Sequence, residues 1–293
     1  MKILITGAAG FVGRHFLKAL DDSSHDVYAL DIRSGDGDIR DYFRTTEDRY
    51  DLVIHLAAIV GGRENIEGQP LKVAVDLSID AEFFQFVMRT KPKRIVYFSS
   101  SAVYPVMYQT DDEDVIRCLY ENLVDLNDIR SPDLTYGFAK LAGEYQASFL
   151  ADSGVKTFVF RPFSGYGEDQ DLTYPFPSFI QRAVRRDDPF VIWGDGTAVR
   201  DFIHIDDIVE AVMTAVENDY TGTYNLGTGR STSFNRLAYL MSKEVGYQPD
   251  YKWLEDKPVG VKRRVAGTVR MNQFYTPKIS LEEGIRRSIR AQS

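Results

Sequence analysis

The first groups able to do chemistry are three glycines. Gly7-Ala-Ala-Gly10-Phe11-Val12-Gly13 follows an apolar run, Lys2–Ile5, and precedes an amphipathic one. Glycines at this spacing let the backbone turn tightly, let main-chain N–H groups approach a pyrophosphate, and let a helix pack close on a strand. The next apolar run ends at Asp31. A carboxylate there can accept bonds from an adenosine ribose and repels a 2′-phosphate, which favours NAD over NADP. Arg33, close by, pulls the other way. A second set lies downstream, where an apolar run ends in Ser99-Ser100-Ser101 and Tyr136 and Lys140 follow at i, i+4 spacing. That spacing puts phenol and ammonium on one helix face, a turn apart. A free phenol ionises near pH ~10. A nearby ammonium and an oxidised nicotinamide both favour the phenolate. Lowering that pKa by ~3 units takes roughly 4 kcal/mol of differential stabilisation, which a shielded cleft can supply. The set is suited to moving a proton beside a bound dinucleotide.

These groups need a scaffold that presents strand ends to a ligand. Lys2–Ile5, Val27–Asp31, Leu52–Leu56, Ile95–Ser99 and Thr157–Phe160 read as buried strands. Between them, Phe11–Leu20 (with Phe11, Val12, His15, Phe16 and Ala19 on one face), Ala81–Arg89 and Tyr136–Leu150 read as helices. Such alternation predicts an α/β fold, a Rossmann-type doubly wound parallel sheet covered by helices on both faces. After about Gly165 the loops lengthen and grow richer in Pro and Gly, as in Tyr174-Pro-Phe-Pro and Gly194-Asp-Gly-Thr. This predicts a smaller α/β C-terminal substrate lobe. The expected division is residues 1–164 for the dinucleotide and 165–293 for the substrate, with parts of the chain interleaving. A long polar stretch, Gln109–Pro132, interrupts the first half. It is expected to hold a short helix, Val115–Leu126, and to act as a lid or an interface element.

Composition narrows the alternatives. The 293 residues are 44% hydrophobic and 27% charged, an ordinary globular balance. The 43 acidic groups outnumber the 35 basic ones, giving a net charge of −8 with no basic block, which speaks against nucleic acid as a partner. Cys118 is the lone cysteine, and His15, His25, His55 and His204 lack metal-ligand spacing, so neither a disulfide within the chain nor a metal site is expected. The apolar runs are too short to span a bilayer, and the chain opens directly on a strand-like segment. The expectation is a cytoplasmic protein without membrane partners.

Taken together, the motifs resemble the extended short-chain dehydrogenase/reductase family, particularly its NAD-dependent nucleotide-sugar epimerases and dehydratases, and most of all the UDP-glucose 4-epimerase type. The likeness is carried by Gly7–Gly13, Gly37-Asp-Ile-Arg40, His55-Leu-Ala-Ala58, Ser99–Tyr104, Tyr136–Lys140, Arg161-Pro-Phe-Ser-Gly-Tyr-Gly167, Arg200-Asp-Phe-Ile-His-Ile-Asp-Asp207 and Tyr224-Asn-Leu-Gly-Thr-Gly229. The resemblance implies Tyr136 as catalytic acid/base, Lys140 as the residue that tunes it and bonds the nicotinamide ribose, and Ser100 as the catalytic hydroxyl. For the cofactor it implies Gly7, Gly10, Phe11, Val12, Gly13, Asp31 and Arg33, with Asp38 and Ile39 flanking the adenine and Leu56, Ala57 and Ala58 lining the channel. For the nucleotide sugar it implies Ser164, Arg200 and Arg264, since a planar guanidinium donates paired bonds to phosphate. By analogy the protein is a homodimer, with Tyr136–Leu150 supplying one interface helix.

The same resemblance sorts the reactions. Dehydratases of the family carry an Asp-Glu pair after the catalytic hydroxyl, where this chain has Ser101-Ala102. Fucose-type epimerase-reductases place a Cys where Ala102 stands, although His55-Leu-Ala-Ala-Ile-Val-Gly-Gly62 and Tyr104-Pro105 look like that subgroup. What remains needs only hydride and one hydroxyl proton: a 4-epimerase, with UDP-glucose/UDP-galactose as default pair. A nucleotide-4-ketosugar reductase using NAD(P)H, and a non-catalytic NAD-binding scaffold or sensor, stay open as alternatives. Departures from the commoner pattern are Ser164 and Asp76 in place of Asn, Gly267 in place of Asp and Val60 in place of Lys.

Overall fold

In the computed structural model, residues 1–21, 24–59, 67–111 and 118–292 are described. Strands β1 (Lys2–Thr6), β2 (Asp26–Leu30), β3 (Leu52–His55), β4 (Arg94–Phe98) and β5 (Lys156–Pro162) join the Gly222–Leu226 strand in one parallel sheet. The order is Gly222–Leu226, β5, β4, β3, β1, β2, with Ile3 opposite both Val27 and Leu52. The inner strands carry apolar residues on both faces because helices cover both faces. On one side, helix α1 (Phe11–Leu20) and the Ile205–Glu217 helix enclose Ile3, Ile5, Phe16, Val96, Phe158, Ile208 and Val212. On the other, α2 (Ile39–Thr45), α3 (Val75–Thr90) and α4 (Leu134–Ser148) enclose Leu4, Phe43, Val53, Phe83, Phe86, Val87 and Ala147.

Outside the Gln109–Pro132 stretch, element types agree with the sequence expectations, and their limits differ for local reasons. Helix α3 begins six residues earlier than expected because Asp76, Ile79 and Asp80 are buried inside it. In α1, Ala19 faces solvent and Leu20 takes the core position, so the apolar face is rotated from the expected one. The Val115–Leu126 helix is not seen: residues 115–117 lie outside the described ones, and only Glu121–Leu123 forms a single 3-10 turn. Instead Leu119 makes a parallel bridge to Ala266, donating to the Val265 carbonyl at 2.8 Å and accepting from the Gly267 amide at 2.9 Å. Leu119, Leu123, Val124 and Leu126 join a small cluster with Val103, Tyr104, Leu141 and Phe163.

After β5 the chain builds a second layer over the C-terminal strand ends. The Pro175–Arg185, Phe234–Val245 and Leu281–Gln292 helices pack around Phe179, Ile180, Phe190 and Met241. Short pairings brace this lobe: Phe190–Trp193 with Tyr251–Leu254, and Val199–Arg200 with both Thr232–Ser233 and Arg263–Arg264. Strand order reverses between β2 and β3 on either side of β1, which is where ligands bind in open α/β sheets.

Candidate active site

A cavity of about 1020 Å³ opens at that reversal, between the sheet and the second lobe. Every residue expected to serve cofactor, catalysis or substrate lines it: the glycine loop, Asp31, Arg33, Asp38, Ile39, Leu56–Ala58, Ser100, Tyr136, Lys140, Ser164, Arg200 and Arg264. Val60, by contrast, lies outside the described residues.

The glycine loop shows why side chains are excluded from it. Gly7 has φ +71°, and a Cβ on it would lie 2.7 Å from the Ala57 amide nitrogen. A Cβ on Gly13 would lie 2.4 Å from the Gly7 carbonyl oxygen. Gly10 caps α1 with no side-chain bond, so the first turn presents bare N–H groups suited to a phosphate. Asp31 also braces the loop: Oδ2 accepts from the Ala9 amide at 3.0 Å and Oδ1 from the Arg33 amide at 2.8 Å. Asp38 caps α2 through the Arg40 amide, and the Arg40 guanidinium holds its carboxyl down to about 2. A glycine cradle, a bracing carboxylate and open helix amides fit a dinucleotide. NAD would be held by this loop, with Leu56–Ala58 along its channel.

Ser100 and Tyr136 meet at the cavity floor. The serine sits in a tight turn, its Oγ accepting from the Ala102 amide at 3.1 Å, within reach of the Tyr136 phenol. Tyr136 and Lys140 lie one turn apart on α4, and Lys140 is buried with its ammonium 5.2 Å from the centre of the Tyr97 ring. Burial, then the charge of Asp76, pushes the Tyr136 phenol above its usual range, while Ser100 and Arg264 pull it down. Behind Lys140 lies a chain unforeseen from sequence. Asp80 accepts from Tyr97 Oη at 2.5 Å and pairs with His55 Nε2 at 3.2 Å, and His55 Nδ1 meets Thr6 Oγ1 at 2.8 Å. Burial opposes the Asp80 charge, but Lys140, His55 and Tyr97 outweigh it and hold the carboxyl low.

The substrate side is less simple than the motifs suggest. Arg200 donates to the carbonyls of Val199 and Val259, both at 2.9 Å, and lies over the Phe234 ring. Arg264 donates to Gln109 Oε1 and Asp133 Oδ2, both at 2.6 Å. Asp133 precedes α4, so this pair ties the second lobe to the helix carrying Tyr136. Tyr174, not among the expected site residues, also lines the cavity that holds Tyr136. Its place in a Pro-flanked loop was the only sequence signal. His204 caps the Ile205–Glu217 helix by accepting from the Asp206 amide at 3.1 Å, a structural role. Among the described residues, no helix is long and apolar enough to cross a membrane.

A dinucleotide cradle beside Ser, Tyr and Lys in one cleft of a Rossmann-type sheet defines an extended short-chain dehydrogenase/reductase. Residues 3–227 match a family model, and the chain belongs to the NAD dependent epimerase/dehydratase family. It is therefore an enzyme whose cofactor is NAD. Among curated relatives, a putative UDP-glucose 4-epimerase of Methanocaldococcus jannaschii is 28% identical, the match covering 98% of this chain and 97% of that one. A putative GDP-L-fucose synthase 2 of Arabidopsis thaliana is 25% identical, over 97% and 89%. Among solved structures, the Thermotoga maritima UDP-glucose 4-epimerase with UDP-glucose superposes with TM-score 0.83 at 26% identity, covering 100% of this chain and 98% of that one.

Proposed function

We propose that the protein is an NAD-dependent nucleotide-sugar 4-epimerase of the UDP-glucose/UDP-galactose type, acting through a 4-keto sugar. The observation that carries this reading lies immediately after Ser100. Ser101 and Ala102 are buried and bring no carboxylic acid or thiol, so these positions supply no further agent for exchanging protons at neighbouring carbons. NAD, held by the glycine loop and along Leu56–Ala58, would supply a reversible hydride acceptor for C4 and a positive ring that favours the phenolate. Tyr136 accepts the 4-hydroxyl proton and later gives it back. Ser100 orients that hydroxyl, Lys140 holds the ribose and the phenolate, and Arg200, Arg264 and Ser164 hold the sugar diphosphate. Residues 1–164 carry the cofactor site, with Ser164 at the boundary facing the sugar diphosphate, and 165–293 carry most of the nucleotide-sugar lobe, with Gly222–Leu226 returning to the first sheet. The protein works as a homodimer, a reading supported by exposed Met88, Phe138, Tyr145 and Phe149 on α3, on α4 and just beyond it.

Purified protein is expected to interconvert C4-epimeric nucleotide sugars without added cofactor. No conversion across UDP-, GDP-, dTDP- and CDP-sugars would reject the assignment. Tyr136→Phe is expected to lower turnover by about 10²–10⁴-fold while NAD stays bound. The likeness to GDP-L-fucose synthases favours a second reading, a 4-ketosugar reductase. That enzyme would consume reduced cofactor in proportion to substrate, and an epimerase shows no net consumption.

A further inference from the structure

Helix α3 places two carboxylates a turn apart, Asp76 and Asp80, both cut off from solvent. Asp80 is well supplied by Tyr97 and His55. Asp76 is not. Its Oδ1 accepts the Ile59 amide at 2.6 Å, while Oδ2 is buried with no hydrogen-bond partner among the described residues. An unpaired carboxylate oxygen in the interior is costly, so its neighbours determine what it does.

Among the described residues those neighbours are few. From α4, Lys140 attracts the Asp76 charge and Tyr136 is repelled by it; from α3 itself, Asp80 opposes it. From the segment after β3 comes the Ile59 amide. Ile59, with Leu56, Ala57 and Ala58, lines the cavity where the cofactor channel is expected. One side chain thus touches the channel wall through one oxygen and faces the proton-handling residues with its charge.

We propose that Asp76 is a positioning residue of the reaction: through Oδ1 it fixes the cofactor-channel wall at Ile59, and with its unpartnered Oδ2 it sets a carboxylate behind the Tyr136–Lys140 pair. The proposal rests on Tyr136 being the proton-transferring group. The direction comes from charge alone. A negative Asp76 makes a second negative group beside it less favourable, so it holds the phenol up. Burial, opposed by Lys140 and the Ile59 amide, lifts the Asp76 carboxyl itself to about 6. The charge is therefore present at neutral pH and fades as pH falls through that value.

Two variants separate the roles. Asp76→Asn keeps an acceptor for Ile59 and cancels the charge, while Asp76→Ala removes both. The NAD-loaded protein is titrated by tyrosinate absorbance, with the Tyr136→Phe spectrum subtracted to isolate one phenol among 17 tyrosines. Asp76→Asn is expected to move the Tyr136 titration to lower pH, and the matching limb of the kcat profile with it, at unchanged NAD affinity. Asp76→Ala is expected to weaken NAD binding about tenfold, the equivalent of one lost hydrogen bond. An unmoved phenol titration in Asp76→Asn, or equal NAD affinity in the two variants, would overturn the proposal. Full turnover by Tyr136→Phe would instead overturn the role of Tyr136, and the spectroscopic shift still reports on Asp76.

Discussion

Replacing Arg161 with Met should destabilise the protein by about 3–5 kcal/mol, the usual cost of stranding one partner of a buried ion pair. Arg161 lies at the end of β5 and meets Glu144 of α4, each about 3% exposed. The pairing is bidentate, Nε to Oε1 at 2.8 Å and Nη2 to Oε2 at 2.6 Å. The free edge of the guanidinium is also used, with Nη1 donating to Tyr104 Oη and the Glu121 carbonyl, both at 3.1 Å. Burial opposes the Arg161 charge, but Glu144 more than compensates and keeps it protonated. Met fills a similar channel but leaves Glu144 with the Ser99 hydroxyl alone and strips a donor from Glu121. Against a total stability of about 5–15 kcal/mol, such a loss is severe. Urea unfolding, followed by circular dichroism, measures it. Arg161→Met combined with Glu144→Leu removes both charges and should recover more than half of the loss. A single-variant loss below about 1 kcal/mol, or a double variant no better than the single, would refute the argument that charge stranding is the cause.

The glycine loop and a surface cluster give two further tests. Gly13→Ala drives a Cβ against backbone oxygens of Gly7 and Ala8 at 2.4 and 2.6 Å, so α1 must shift, at about 1–3 kcal/mol. Calorimetry should show lower stability and weaker NAD binding, and an unchanged melting temperature would contradict the packing role. His15 pairs with Asp169 at 2.9 Å and Asp206 at 3.7 Å. Burial alone would lower its pKa, but these two carboxylates raise it. Its stabilisation is therefore full below the unfolded value near ~6.5 and is lost as pH rises through the folded one. His15→Gln should flatten that part of the melting-temperature profile, and a profile parallel to wild type would count against it.

What could be read from sequence was what local spacing encodes. Period and glycine placement located the strands, the loop and the Tyr136–Lys140 turn, because each depends on residues a few positions apart. Partners chosen by the fold stayed hidden. Asp80 gave no signal, since His55 and Tyr97 come from two different strands. Arg264 matched a diphosphate-binding pattern, yet Gln109 and Asp133 reach it from far back in the chain. The apolar residues of the polar stretch suggested a helix. Instead Leu119, Leu123, Val124 and Leu126 pack in one cluster with Phe163 and Ala266, and Glu121 turns inward to accept the Asn225 amide at 2.8 Å.

The placement of Gly222–Leu226 beside β5, register Gly222 to Phe158, also bears on biosynthesis. The strand that shields one edge of the sheet is made roughly 60 residues after β5. At a synthesis rate of ~5–20 residues per second, β5 waits about 3–12 s as a raw edge, open to pairing with another nascent chain. A fragment cut after Phe163 would carry that edge permanently. The two lobes therefore cannot be exchanged as cassettes between related proteins by a single crossover at the cleft. A viable chimera must carry the returning strand along with the sheet it closes.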